Sequence, residues 1–372
     1  MKTLFPGTVS VAHFLREHWQ KKPLLVCAAF PAFAEPFTPR QVLGLAARDD
    51  MESRLVRRTG RKWELEHGPF AASRLARMPA RNWSVLVQDT QHASRAAKAL
   101  LQRFSFLPHA RVDDLMVSFA KPGGGVGPHY DSYDVFLIQG TGRRRWRISG
   151  QRDLSLVPGA PLKILAHFKH EQEWVLEKGD MLYLPPGYAH DGVALEDCLT
   201  WSVGFRAPAS QELATAFLDY LRDHIEIAGQ YADPSLRATR HAGAIPAPMR
   251  HALKKTLRGI RWDDAMLEDF IGRYLSEPKQ SVFFSAPDAP LPMRSFARDV
   301  RLHGVSLDLK TRLLYAGDRF FLNGESVAVP REAAALVRTL ADHQFLPAAA
   351  VPAPGLALLY DWYLQGNLAP GK

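Results

Sequence analysis

GGGVGPHYDSYDVFLIQGTGRRRWRI, residues Gly123–Ile148, decides the fold. A glycine-rich, proline-terminated entry leads into the apolar run YDVFLIQG, a turn at Gly140–Gly142 and the segment RRRWRI, the pattern of a buried β-hairpin. Such a hairpin should not carry His129, Asp131 and three consecutive arginines without a reason, because buried polar and charged groups require partners.

Alternate side chains of a strand share a face, so His129 and Asp131 are expected to project together, with Tyr133 behind them. Two histidines and one carboxylate on one side of a metal form the facial site of non-haem Fe(II) oxygenases. That site keeps positions open for a bidentate cosubstrate and for O2. The second histidine is expected at His190, where GDMLYLPPGYAHDG reads as a buried strand, a proline turn and a return to the sheet. His167 and His170 compete for the role. They lie three apart in the polar HFKHEQEW and would face opposite ways in a strand, which ranks them below His190. An isolated H-x-D usually makes ordinary hydrogen bonds; the glycine-rich entry, the apolar run and the distal histidine together give it weight.

The arginines sort by parity. Arg144, Trp146 and Ile148 share one face of RRRWRI, while Arg143, Arg145 and Arg147 share the other. Arg144 therefore points inward, where a planar guanidinium suits bidentate capture of a carboxylate, and the far carboxylate of 2-oxoglutarate fits. A structural salt bridge to an internal Asp or Glu is the plainer alternative. The outward stripe reads as a solvated face.

The rest of the chain frames this site. Its 372 residues favour two or three domains, and 47% apolar with 23% charged residues is ordinary for a globular protein. No apolar stretch is long enough to cross a bilayer, so no membrane association is expected. The opening MKTLFPGTVSVAHFLREHWQKKPLLV is interrupted by Pro6, His13, Arg16 and Glu17 and reads as non-secretory, hence cytoplasmic. Cys27 and Cys198 alone can build neither a disulfide framework nor a thiolate zinc site, so a metal must use nitrogen and oxygen ligands. The net charge of +9 fits work near a polyanion such as RNA, or plain solubility.

Three textures divide the chain. Residues 1–208 are strand-rich, with runs such as WSVLVQD, DLMVSFA and CLTWSVGF that suit a sandwich or barrel. Residues 209–277 are helical: Leu213, Phe217 and Leu221 recur at helical spacing behind Ser210 as N-cap, followed by HALKKTLRGI and DDAMLEDFIGRYL. Residues 278–372 combine LLYAGDRFFLNGESVAV, a hairpin through Asn323–Gly324, with the helix REAAALVRTLADHQFL, the content of a winged-helix-like module.

Nearly the whole chain resembles the bacterial JmjC-type ribosomal oxygenases of the cupin superfamily, specifically the ribosomal protein arginine hydroxylases. The resemblance is carried by FLREHWQKKPLLV, DDMESRLV, NWSVLVQD, DDLMVSFAKPGGGVGPHYDSYDVFLIQGTGRRRWRI and GDMLYLPPGYAHDG followed by WSVGFRAP. It implies an α+β chain: a double-stranded β-helix, or jelly roll, over 1–208, a helical dimerisation section over 209–277 and a winged-helix-like domain over 278–372. It also implies His129, Asp131 and His190 as Fe(II) ligands and Arg144 as the 2-oxoglutarate anchor. Activity would consume O2 and hydroxylate an arginine of a large-subunit ribosomal protein, in a homodimer.

Substrate contacts carry no motif. Tyr130, Ser132, Tyr133 and Trp201 are candidates, and a basic enzyme meeting a basic ribosomal protein needs a locally acidic groove, for which Asp113–Asp114 and Asp49–Asp50 are available. On the same scaffold a histidine hydroxylase or a lysyl demethylase would show the same triad and arginine. A metal-sensing winged-helix regulator would need a basic recognition helix. REAAALVRTLADHQFL, with two arginines on an alanine-rich body, lacks one, so direct DNA binding is not expected.

Overall fold

The computed structural model describes residues 9–60 and 62–371; the first eight residues of the opening stretch read as non-secretory lie outside the described residues. Helices α1 (Val11–Glu17), α2 (Pro39–Leu45), α3 (Ala72–Ala76) and α4 (Arg95–Gln102) alternate with the first strands. The strands are β1 (Leu24–Val26), β2 (Ser53–Thr59), β3 (Lys62–His67), β4 (Trp83–Val87), β5 (Val112–Ala120), β6 (Val135–Gln139), β7 (Arg144–Ser149), β8 (Gln172–Leu176), β9 (Met181–Leu184), β10 (Ala189–Ala194) and β11 (Cys198–Phe205). They build an eight-stranded antiparallel sheet, ordered β1-β9-β6-β11-β5-β4-β2-β3, and a smaller one, β10-β7-β8. This is the expected double-stranded β-helix.

Strand β6 shows why the apolar run folds as it does. Phe136 and Ile138 enter an aromatic core with Phe14, Phe104 and Tyr183, while Val135 and Leu137 face the second sheet and meet Trp146, Ile148 and Leu182. Both faces are buried, so VFLIQ is apolar throughout instead of alternating. Each such side chain taken out of water stabilises the fold by about 1.5–3 kcal/mol.

Beyond β11 come α5 (Ser210–His224), α6 (Ala247–Leu257), α7 (Asp264–Ser276) and α8 (Met293–His303). They are followed by β12 (Val305–Leu307), β13 (Leu313–Ala316), β14 (Arg319–Leu322), β15 (Glu325–Val327), α9 (Ala334–His343), β16 (Phe345–Leu346), α10 (Ala353–Leu364) and β17 (Leu368–Pro370). Ser210 is the first residue of α5 and not its cap; Ala209 precedes the helix and supplies no side-chain bond. The hairpin through Asn323–Gly324, both at positive φ, is present as β14–β15. A further turn at Gly317 adds β13 and makes a three-stranded meander. The long helix expected from Arg331 ends at His343, because Gln344 adopts a left-handed conformation that turns the chain into β16.

The chain divides into two compact units. One is Met1–Ala207 with Pro278–Thr311 and Pro330–Lys372; the other is Pro208–Glu277 with Arg312–Val329. In the second, Phe270 of α7 packs against Phe217 and Tyr220 of α5, and Gly272 lets the Phe321 ring approach where a Cβ would stand 2.2 Å from it.

Candidate active site

His129 and His190 meet backbone to backbone. Each amide donates to the other's carbonyl, at 2.9 and 2.8 Å, in an isolated antiparallel bridge that sets the imidazoles 4.2 Å apart between centroids. Asp131 is not in a strand; it lies in the loop before β6, which is held from both ends. The Gly187 amide donates to the Asp131 carbonyl at 2.7 Å. Three residues on, the fully buried Asp134 carboxylate accepts from the Tyr183 hydroxyl at 2.6 Å, from Gln20 at 3.0 Å and from Arg111 at 3.1 Å. The Asp131 carboxylate thereby comes 3.7 Å from His190 Nε2, and donor atoms of His129, Asp131 and His190 all lie within 4.8 Å of one another.

Both histidines are oriented for ligation. His129 Nδ1 faces the Gly127 carbonyl at 2.8 Å and His190 Nδ1 faces the Tyr188 carbonyl at 2.9 Å. A carbonyl only accepts, so each Nδ1 carries the proton and each Nε2 keeps its lone pair for the cluster. Burial, reinforced by the neighbouring His129, pushes the His190 imidazole down to about 4, so it is neutral at physiological pH. Gly192, two residues further along β10, leaves room for the Trp146 ring, which a Cβ would meet at 2.6 Å. That ring backs His190 at 5.9 Å. His167 and His170 are exposed and stand outside the cluster.

The triad opens into a cavity of about 440 Å³ between the two sheets, within the range of small-molecule sites. Arg144 lines it from β7 with only 5% of its surface exposed, on the same face as Trp146 and Ile148, as strand parity requires. Its Nε and Nη2 have no hydrogen-bond partner among the described residues; the guanidinium only lies over Trp146, 5.7 Å from the ring. Among the described residues no carboxylate pairs with it, so the salt-bridge alternative finds no partner there. A buried guanidinium in that state calls for an anion in the cavity. On the outward face, Arg143 pairs with Glu196 and Arg147 with Glu173.

Tyr130, Ser132 and Tyr133 also line the cavity, whereas Trp201 is fully buried in the core beside Phe37. Of the two acidic pairs, Asp113 and Asp114 reach the cavity; Asp49 and Asp50 do not, and Asp50 is tied to Arg48 at the surface. Burial lifts the Asp114 carboxyl to about 6 against the pull of Lys279, whose ammonium lies 3.7 Å from both Asp113 and Asp114. Two residues escaped sequence reasoning. Arg54 lines the cavity with a buried, unpartnered Nε, and Asp134 anchors the ligand loop. The only signal for Asp134 was an acid placed directly before an apolar run.

Comparison with known proteins agrees with this architecture. Residues 99–213 match the JmjC domain family and residues 259–369 the ROXA-like winged helix. The Ribosomal protein uL16 3-hydroxylase of Escherichia coli (strain K12) is 37% identical over 331 residues, 88% of each chain. The chain belongs to the JmjC-type ribosomal oxygenases. A Probable ribosomal oxygenase of Haemophilus influenzae is 39% identical to this ribosomal oxygenase over 55% of its chain and 51% of the relative's. Among solved structures, YcfD, a ribosomal oxygenase from Escherichia coli in complex with cobalt and 2-oxoglutarate, superposes with a TM-score of 0.82 at 34% identity, covering 97% of this chain and 98% of that one. The ribosomal oxygenase described here is accordingly an enzyme of the 2-oxoglutarate oxygenase class, with a His-Asp-His cluster able to hold its metal.

Proposed function

We propose that this ribosomal oxygenase is an Fe(II)- and 2-oxoglutarate-dependent hydroxylase of an arginine side chain on a large-subunit ribosomal protein. The observation that carries the cosubstrate is Arg144, a buried guanidinium lacking a partner in the cavity that also holds the triad. The donor set fits Fe(II): two imidazole nitrogens and one carboxylate oxygen on one side, with the cavity on the other. Bound by His129, Asp131 and His190, Fe(II) with 2-oxoglutarate and O2 supplies the chemistry, in which the cosubstrate loses CO2 to become succinate and one oxygen atom enters a substrate C–H bond. The protein's own residues position and exclude. Arg144 fixes the distal carboxylate of the cosubstrate, Trp146 and Val135 keep that end dry, and the Asp134 network holds the ligand loop in place.

Arginine is favoured because Tyr130 and Tyr133 line the cavity and offer a guanidinium an aromatic face, while Asp113 and Asp114 on the same wall, already met by Lys279, lower the local positive potential. The relative's name, a uL16 3-hydroxylase, points to a ribosomal protein substrate. Incubation of a total ribosomal protein fraction with enzyme, Fe(II) and 2-oxoglutarate should add one oxygen at an arginine, read by tandem mass spectrometry. Oxygen confined to histidine, or demethylated lysine instead, would overturn the arginine assignment.

Residues 1–208 then form the catalytic part, 209–277 the dimerisation section and 278–372 the winged-helix-like part of a cytoplasmic enzyme. Among the described residues no helix is long and apolar enough to cross a membrane. A homodimer is supported by Leu218, Leu236, Ile245 and Leu257, each 65–66% exposed in the second unit, an apolar surface that a partner subunit would cover. Light scattering at micromolar concentration should give twice the mass of the 41.6 kDa chain; a monomer mass would remove the dimer from the account.

A further inference from the structure

The charge of this chain is concentrated in one place. Between Arg237 and Arg261 it carries seven Lys or Arg residues and no Asp or Glu, in a protein whose total net charge is +9. The flanks have the opposite sign. Glu212, Asp219, Asp223, Glu226 and Asp233 precede the segment, and Asp263, Asp264, Glu268 and Asp269 follow it. The acids nevertheless leave the basic residues alone: among the described residues, Arg222 and Arg273 take up Asp219, Asp223 and Asp269, and none of the seven forms an ion pair.

The helix at the centre of the segment sorts its residues by face. Residues four apart on an α-helix drift by only about 40°, so Met249, Leu253 and Leu257 form one apolar stripe of α6. Arg250, Lys254 and Arg258 form the adjoining stripe, and Lys255 widens the cationic side. No residue of α6 is buried. Like charges four apart repel, and Arg250, Lys254 and Lys255 of α6, with Arg258 at its cap, have no acid beside them to offset that repulsion, which a polyanion would relieve. Five of the seven are arginines, the side chain whose fork matches phosphate oxygens in pairs. Trp262 follows immediately. Half of its surface is exposed, while an edge-on contact with Phe217 at 5.5 Å fixes the indole. A run of phosphate-binding cations ending in a fixed, open aromatic face is the combination that binds unpaired nucleotides, phosphates on the charges and a base on the ring.

We infer that the cationic side of α6, Arg250, Lys254, Lys255 and Arg258, with Arg261 and Trp262 beyond it, is an RNA-binding surface that takes a strand with unpaired bases, the adjoining apolar stripe through Leu257 being left to the subunit contact. This surface is separate from the cavity chemistry and does not rest on the identity of the hydroxylated side chain. The test uses the full-length protein and a fluorescein-labelled 20-nucleotide RNA hairpin with an unpaired loop, followed by anisotropy between 50 and 200 mM KCl. Wild-type protein should bind at 50 mM and lose at least about tenfold in affinity by 200 mM, as several phosphate contacts require. The triple variant R250E/K254E/R258E should weaken binding at 50 mM by at least about thirtyfold. Trp262→Ala should weaken it by about five- to tenfold with an unchanged salt slope, since it removes stacking and no charge. Both variants should keep the wild-type rate of 2-oxoglutarate decarboxylation and the wild-type mass in light scattering. The inference is overturned if wild type fails to bind the hairpin at 50 mM, or if the triple variant binds like wild type. It is equally overturned if phosphatidylglycerol vesicles bind more tightly than RNA, which would make this a membrane-surface helix, or if the triple variant changes the subunit mass, which would make it a subunit contact.

Discussion

Replacing His190 with alanine will abolish 2-oxoglutarate turnover, lowering it by more than about 10³-fold, because a metal held by two ligands loses several kcal/mol of the stabilisation that the reaction needs. The same loss is expected for His129→Ala and Asp131→Ala. Succinate formation measured by NMR is the readout, with the thermal midpoint as control. His190 is 2% exposed and backed by Trp146, so its truncation leaves a small cavity and a modest drop in midpoint, not an unfolded chain. His167→Ala and His170→Ala should retain full turnover, since both rings stand at the surface. Loss of turnover in either of those variants, with His190→Ala still active, would place the third ligand elsewhere.

The second large effect separates function from stability. Arg144→Met should raise the 2-oxoglutarate concentration needed for half-maximal rate by about 10²-fold or more, since truncating one side of a buried charge pair costs about 2–5 kcal/mol. Metal binding should survive, because Arg144 touches none of the three ligands' donor atoms. Without cosubstrate the variant should be as stable as wild type or more so, because a buried, unpartnered guanidinium is replaced by an apolar side chain of similar length. Thermal melts with and without 2-oxoglutarate show both halves of this result. The wild-type midpoint rises with cosubstrate, and that of the variant does not. A variant whose midpoint still rises normally would assign the carboxylate to another group, with Arg54, whose Nε lacks a partner on the cavity wall, the first to test.

How far the sequence could be read depended on which local rule governed each residue. Arg144 was legible because β7 alternates buried and half-buried residues, so parity alone sends Arg144, Trp146 and Ile148 inward. The triad was legible from its residue types, although Asp131 reaches the cluster through a loop pinned by Gly187 and Asp134 and not through strand alternation. Gly187 and the partners that hold Asp134, namely Arg111, Tyr183 and Gln20, come from distant parts of the chain, and no local pattern announces them. Trp201 was misplaced as a possible substrate contact because every residue of β11 is buried; a strand covered on both faces carries no sign of which side meets the cavity. Asp113–Asp114 and Asp49–Asp50 look alike as sequence. Only the fold brings the first pair to the cavity and leaves the second beside Arg48 at the surface.

Titration of 2-oxoglutarate into the protein by calorimetry, without O2 and with or without Fe(II), tests most directly whether the triad and Arg144 form one composite site. Wild-type protein should bind one equivalent of 2-oxoglutarate when Fe(II) is present and at least about tenfold more weakly without it. Weakening the metal site through His190→Ala, or removing the guanidinium through Arg144→Met, should lower the affinity to a comparable degree. Equal affinity with and without Fe(II), or unchanged affinity in both variants, would contradict the account.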